Sequence, residues 1–402
     1  MPTTERRKDN RGRNLNTGES QTKEGRYVYK YMDLSGHPKF LYSWKLVPTD
    51  KIPKGKRNDI SLREKEKKVQ KDLADGIDTA GGKMKVCQLY QKQIRQKGNV
   101  RLGTKKQRAY FAEHLANDPL GRKSIDTVKV SDGKEWAVRQ KEKGVAYNTI
   151  NNQKRSLKAS FYTAIDDDCI RKNPFNFILT DVIPNDTVRK EALTAEQEAK
   201  FLEFARTDKV YKKYYDDIVV LLETGLRISE FCGLTIHLDM KNKVIDVNHQ
   251  LLRDTEIGYY IEYPKTESGF RQIPMSNKAY EAIRRIIRRR RKEKGTPLVI
   301  DGYKDFLFLK KDGLPKVATN YEGMFRGLVK KYNKYHDEPL PNITPHTLRH
   351  TFCTKMANKG MNPKALQYIM GHANITMTLN YYAHADFASA KAEMDRLSAL
   401  VV

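Results

Sequence analysis

The hydrophobic period of this chain changes along its length, and that change excludes a single uniform fold. Aromatic residues alternate first: Tyr27, Tyr29 and Tyr31, then Phe40, Tyr42 and Trp44, on either side of Ser35-Gly36-His37-Pro38. A period of two across a Gly-containing turn predicts an antiparallel hairpin. Ser61, with Glu64 three residues on, forms a capping box for a helix that places Leu62, Val69 and Leu73 on one face. At least half of the six aromatics are expected to form the core beneath that helix. From Met84 to Cys169 the period is helical throughout, with Val86, Leu89 and Tyr90 in one stripe and Ile150, Leu157, Phe161 and Ile165 in another. Lys154, Arg155 and Lys158 are read on other faces of that last helix, as a DNA footprint or a solvated face.

Two breaks separate these stretches. Asp78-Thr79-Ala80-Gly81-Gly82 is a short linker, and residues 180–190 are polar and contain Pro184. Beyond them Thr194 and Gln197 open a helix, and the rest is mostly helical. A strand cluster interrupts it, with runs at 244–247, 258–263 and 270–275. A very basic helix follows, in which Arg284, Arg285, Arg288, Arg289, Arg290, Arg291 and Lys292 surround Ile283, Ile286 and Ile287. It is read as a phosphate contact or a solvated face. Residues 1–25, polar and basic, are expected to be disordered or an arm.

Charge narrows the partner. Lys and Arg number 76 against 49 Asp and Glu, a net of +27. Residues 1–82 hold 19 basic and 12 acidic residues, a net of +7, so the excess is not one basic tail. An excess this large and this dispersed favours a polyanion. No stretch approaches the ~20 apolar residues of a membrane span. The first residues carry charges without an apolar core, so no secretory signal is read and the cytosol is the expected compartment. Cys87, Cys169, Cys232 and Cys353 are far apart and read as reduced thiols, mostly buried. Gly98 to Lys105 resembles a phosphate loop, but Thr104 precedes Lys105 where a nucleotide loop needs lysine first. Neither a zinc-protease motif nor a serine-hydrolase elbow occurs. No cofactor or metal is expected.

The chemistry gathers in the C-terminal half. Arg227 follows Gly225, a residue suited to ending a helix, and Glu230 lies near it on the next. Lys265 sits at the edge of a hairpin turn. His346 and Arg349 lie one turn apart at the start of a helix, hence on one face. His372 follows Gly371, and Tyr381 lies nine residues further on. Two arginines, a lysine and imidazoles are what a phosphodiester needs, because negative charge grows on its nonbridging oxygens in the transition state. Arginine forks bind such oxygens in pairs. Lysine can protonate a leaving oxygen, and tyrosine can attack without a metal.

At these residues the chain resembles the tyrosine recombinases of the phage-integrase family. Arg227, Lys265, His346, Arg349, His372 and Tyr381 fall in that family's order. His346-Thr347-Leu348-Arg349-His350 matches its His-x-x-Arg-His box, and Gly371-His372 with Tyr381 matches its last box. Each motif alone is weak; their order and separations together are specific. The whole chain also resembles the three-part layout of conjugative-transposon integrases. The resemblance implies a multidomain α+β protein. Residues 1–82 would be an arm-type DNA-binding domain, a three-stranded sheet plus a helix. Residues 83–180 would be an all-helical core-binding domain. Residues 181–402 would be a mainly helical catalytic domain with a small antiparallel sheet.

The same resemblance implies roles. Tyr381 attacks the scissile phosphate and forms a 3′-phosphotyrosyl link. Lys265 is the general acid, Arg227 and Arg349 clamp the phosphate, His346 assists proton transfer, and His372 donates to a nonbridging oxygen. The partners implied are double-stranded DNA at core and arm-type sites, three further copies of the chain in a tetramer, and a small excisionase.

Plainer readings stand beside these. Arg227 can pair structurally with Glu230, His346 and His372 can cap helices, and Lys265 can be a surface lysine with Lys241 and Lys243 as substitutes. His350 is expected to pack or to brace Arg349. Tyr382 competes with Tyr381. A metal-dependent nuclease would need a carboxylate cluster that the sequence lacks, and a non-catalytic regulator would not need all six groups. Phe387, Ala390, Met394 and Leu397 form a last apolar stripe that docks on its own domain or on a neighbouring protomer.

Overall fold

The computed structural model describes residues 7–33, 36–75, 83–187, 191–291 and 298–382, with Met394 and Ser398. The chain divides into two compact units, residues 1–188 and 189–402. The last apolar stripe, Met394 apart, and Lys292 of the basic cluster lie outside the described residues.

The first unit opens with a three-stranded antiparallel sheet in the order β1 (Glu19–Gln21), β2 (Tyr27–Met32), β3 (Pro38–Ser43). Helix α1 (Leu62–Ala74) carries the expected capping box of Ser61 and Glu64. Tyr27, Tyr29, Leu46 and Leu62 form the core, with Tyr31 packed against it. Phe40 and Tyr42 are exposed, and Arg26 lies 4.6 Å over the Tyr42 ring.

Residues 1–25 were expected to be disordered or an arm; those described, 7–25, carry hydrogen-bonded structure. Asp9 is buried and accepts hydrogen bonds from the backbone of Arg11 and Arg13, from Arg13 Nε at 2.8 Å and from the Tyr27 hydroxyl at 3.0 Å. Burial pushes its carboxyl up, but these donors outweigh burial and hold its pKa at about 2. β1 pairs Glu19 with Tyr29. Charge pairing, not apolar burial, orders this segment, so its polar composition misled.

The helical remainder of the unit contains α2 (Val86–Gln96), α3 (Leu102–Asn117), α4 (Val130–Glu142) and α5 (Tyr147–Asp166). They enclose a separate core around Tyr90, Phe111, Trp136, Phe161 and Phe175. Lys154 is not on an outer face. It stands in register with Ile150 and Leu157, is buried, and donates to the Phe177 carbonyl at 2.5 Å. It is therefore unavailable to DNA.

The second unit runs α6 (Ala195–Thr207), α7 (Tyr215–Thr224), α8 (Ile228–Gly233), then β4 (Val244–Val247), β5 (Gln250–Asp254), β6 (Gly258–Glu262) and β7 (Arg271–Pro274). It continues through α9 (Asn277–Arg290), α10 (Ala318–Tyr335), α11 (Pro345–Asn358), α12 (Pro363–Met370) and α13 (Ile375–Leu379). The strands form two two-stranded antiparallel sheets, β4 with β7 and β5 with β6. One sheet was expected, and β5 was missed because only Leu251 of its five residues is buried. Lys265 thus lies on the link between the two sheets rather than at a hairpin turn. Three arginines of the basic helix α9 are ion-paired: Arg284 with Glu281 in the same helix, and Arg285 and Arg289 with Asp216 on α7. Cys232 and Cys353 are buried, Cys87 and Cys169 partly so, and all four are free. No helix of the described residues is long and apolar enough to cross a membrane.

Candidate active site

Two helices end in glycines that no other residue replaces cheaply. Helix α7 closes on Gly225 (φ +62°) and α12 on Gly371 (φ +61°), both left-handed. A Cβ on Gly225 would meet the Phe352 ring at 2.4 Å. One on Gly371 would meet Arg271 Nη1 and the Ser268 carbonyl at 3.0 Å. These glycines let three arginines reach the end of α12.

The last carbonyls of a helix lack partners within it and carry its negative pole. Here consecutive carbonyls each take one guanidinium. Ile369 accepts from Arg271 Nε at 2.6 Å, Met370 from Arg349 Nη2, and Gly371 from Arg227 Nη2 at 2.9 Å. Arg349 also donates to the Gly225 carbonyl at 2.6 Å, tying the two helix ends together. Glu230, on α8, balances part of this charge. It accepts from Arg227 Nη1 at 2.7 Å and from Arg271 at 2.8 and 3.1 Å. Burial pushes the Glu230 carboxyl up, but the Arg271 hydrogen bonds and the three nearby arginine charges outweigh it and hold the pKa at about 2. Burial and the Arg227 charge push Arg349 down to about 9, which leaves it a cation at neutral pH.

Donor accounting separates the arginines. Arg271 makes four hydrogen bonds and its side chain is 0% exposed, so it is spent on structure. Arg227 and Arg349 make two side-chain bonds each and keep further N–H groups. Arg227 does pair with Glu230, yet its side chain is 39% exposed. Sequence reasoning missed Arg271. The signal was its parity with the inward Ile273 on β7 and Met275 just beyond it.

His372 follows Gly371 directly and is buried. Its Nδ1 lies 3.0 Å from the buried Thr378 hydroxyl, and its backbone is latched on both sides by Gln367. Burial, then the charges of Arg349, Arg227 and Arg271, push the imidazole down to about 4, so it is neutral at pH 7. His346 is exposed in the first turn of α11, which Thr344, not the histidine, caps. Its charge also bears on His372.

Tyr381 and Tyr382 both pack against the buried cluster of Phe352, Cys353, Ala357, Leu366 and Met370. The Tyr382 hydroxyl donates to the Met361 carbonyl at 2.5 Å. No described residue hydrogen-bonds the Tyr381 hydroxyl. Burial and the Cys353 thiol push the Tyr381 phenol up, against the Arg349 charge. Lys265 is exposed, and no contact brings its ammonium to the arginines. Among the described residues no group of three or more His, Cys, Asp or Glu is placed to hold a metal.

A buried cluster with an excess of guanidinium charge, a neutral imidazole and a phenol without a hydrogen-bond partner among the described residues is suited to bind a phosphodiester and attack it. Residues 191–389 match the phage integrase family, and residues 3–73 match the DNA-binding domain of Tn916 integrase. The transposase from transposon Tn916 of Enterococcus faecalis is 62% identical over 396 residues, covering 98% of this chain and 97% of that protein. A structure of the Tn1549 transposon integrase in complex with a circular intermediate DNA is 62% identical, with a TM-score of 0.74, over 78% of this chain and 99% of that one. Another, with transposon right end DNA, also has a TM-score of 0.74 and 62% identity, over 78% and 100%. The chain belongs to the phage integrase family of tyrosine recombinases. Its reaction is the cleavage and rejoining of DNA, which in this family takes neither metal nor ATP.

Proposed function

We propose that this recombinase excises and integrates a conjugative transposon, with Tyr381 as its nucleophile. The observation that carries the residue assignment is the meeting of Arg227, Arg349 and His372 at the end of α12, with Tyr381 in the cluster packed on the same helix. The scissile phosphate sits against the remaining N–H groups of Arg227 and Arg349. These bind its nonbridging oxygens more strongly as charge grows there. In the tautomer whose Nδ1 accepts from the Thr378 hydroxyl, His372 carries its proton on Nε2 and donates it to the same phosphate. Tyr381 attacks phosphorus, the 5′-oxygen leaves, and Lys265 supplies the proton it needs. Lys265 lies on an exposed loop, so DNA brings it to the phosphate. His346, at the exposed start of α11, assists proton transfer by taking up the phenol proton as Tyr381 attacks and returning it when the phenol leaves. The 5′-hydroxyl of a partner strand then attacks the phosphotyrosine, and the phenol leaves.

Tyr381 is preferred over Tyr382 because the Tyr382 hydroxyl is held by Met361. Residues 1–82 bind arm-type sites, 83–180 grip the crossover site and 181–402 cut. Four protomers assemble on DNA in the bacterial cytoplasm, with the C-terminal helix docked on a neighbour and an excisionase assisting excision. A nicked suicide substrate tests the centre of this reading. Tyr381→Phe should bind DNA and form no covalent adduct, while Tyr382→Phe should still form one. The opposite pattern would move the nucleophile by one residue.

A further inference from the structure

The box that supplies His346 and Arg349 ends in a histidine without an assigned role. His350 lies on α11, one turn after His346, and so shares a face with it. It does not brace Arg349, whose bonds go to Gly225 and Met370. Its ring stands edge-on to Tyr381, with centroids 4.8 Å apart and planes at 60°. Its Nδ1 is enclosed and has no hydrogen-bond partner. An enclosed polar atom left unpaired costs stability and calls for a reason.

The surroundings show how selective this vacancy is. The Tyr382 hydroxyl is taken by Met361 and His372 Nδ1 by Thr378. Burial pushes the Cys353 thiol up to about 12, so it stays a protonated, weak partner. Two polar groups remain open on rings that touch: the Tyr381 hydroxyl and His350 Nδ1. Burial also pushes the His350 imidazole down, which keeps it neutral and able to accept.

We propose that His350 is a positioning residue for the nucleophile: as Tyr381 turns to the scissile phosphate, its hydroxyl donates to His350 Nδ1. That bond fixes the rotation of the phenol, so that an oxygen lone pair faces phosphorus. It forms only in the attacking arrangement, and therefore acts on the cleavage rate and not on DNA binding. The inference rests on Tyr381 being the nucleophile.

The test is single-turnover adduct formation by the full chain on a nicked suicide substrate, at saturating DNA, with the dissociation constant measured in parallel. Asn places an acceptor near the position of Nδ1, Gln places one further out, and Phe keeps the ring alone. His350→Phe should slow adduct formation about 100-fold, the scale of a misplaced reacting group, with binding changed less than about twofold. His350→Asn should recover to within about tenfold of the parent rate, and His350→Gln should remain slow. A Phe variant at the parent rate would reduce His350 to a packing wall and overturn the proposal. Asn and Gln variants of equal rate would overturn it too, even if the Phe variant fails to fold. Tyr381→Phe, run alongside, separates the two readings: an adduct from that variant removes the nucleophile assignment and not merely its positioning.

Discussion

In the N-terminal module buried carboxylates outnumber the arginines that hold them; around the end of α12 the ratio is reversed. Asp9 and Asp50 share Arg13, while Glu19 pairs with Arg63 beside a buried Glu66. Arg13 and Arg63 are answered by these carboxylates within the module, so their charge is spent on the scaffold. Arg227, Arg271 and Arg349 converge with Glu230 as their carboxylate. Helix-end carbonyls hold the geometry of that second cluster but do not cancel its charge. A buried charge excess is costly unless something pairs with it. In a DNA-cutting enzyme that missing partner is the phosphodiester. The sign of the imbalance therefore separates scaffold from site better than the presence of buried charge does.

The comparison breaks first at Glu230. Glu230→Gln keeps the shape and removes the one carboxylate among three guanidinium groups. Breaking a buried pair in this way should cost about 3–5 kcal/mol of folding stability. Urea unfolding of the two proteins at neutral pH measures it. A loss near zero would mean that the helix-end carbonyls alone hold the arginines, and the charge argument would fail. DNA should partly restore the variant, because phosphate supplies the missing anion.

A smaller effect should follow from Arg227→Lys. The charge is kept, but one ammonium cannot serve Glu230, the Gly371 carbonyl and a phosphate oxygen together. Adduct formation should slow by the equivalent of about 2.7–4 kcal/mol of barrier, with DNA affinity nearly unchanged. If affinity falls as much as rate, Arg227 binds the ground state and is no clamp of the transition state.

The two regions also differ in what could be read from sequence. Alternating aromatics gave the β2–β3 hairpin, and Ser61 with Glu64 gave the start of α1, because these signals are local. The six candidate site residues were legible as short motifs, and four of them meet in one cluster: Arg227, Arg349, His372 and Tyr381. Arg271 was not legible, because its role depends on a carbonyl 98 residues away. Lys154 was misplaced for a related reason. Its position on the apolar stripe was visible, but a lysine there is acceptable only once the Phe177 carbonyl folds over it. The described part of residues 1–25 was illegible because charge pairs between Asp9, Arg13 and Asp50 hold it, and pairing at such separations leaves no period.

The smallest predicted effect sharpens the acid-rich side. Burial and the charge of Glu19 push Glu66 from its ordinary 4.5 up to about 7. Between those values the folded chain keeps a proton that the unfolded chain has lost. The stability this contributes is complete below pH 4.5 and disappears as pH rises through 7. Glu19 runs the other way: Arg63 outweighs burial and holds it below 4.5, so its contribution is present above that value and lost as acid is added. The two leave a window of greatest stability in mild acid. Hydrogen-exchange protection of α1 and β2 in the full-length protein, corrected for intrinsic rates, should therefore fall between pH 5 and 8. Glu66→Gln is neutral throughout and should flatten that decline while leaving the acid side intact. The arginine cluster runs the other way: Glu230 and Arg349 do not titrate in this range, but burial and the arginine charges hold His372 at about 4, below its ordinary 6.5, so stability lost to its protonation in acid is regained as pH rises to 6.5, and protection of α8 should not fall over the same interval. A decline shared equally by α8 and α1 would place the pH sensitivity outside the Glu19–Glu66 pair.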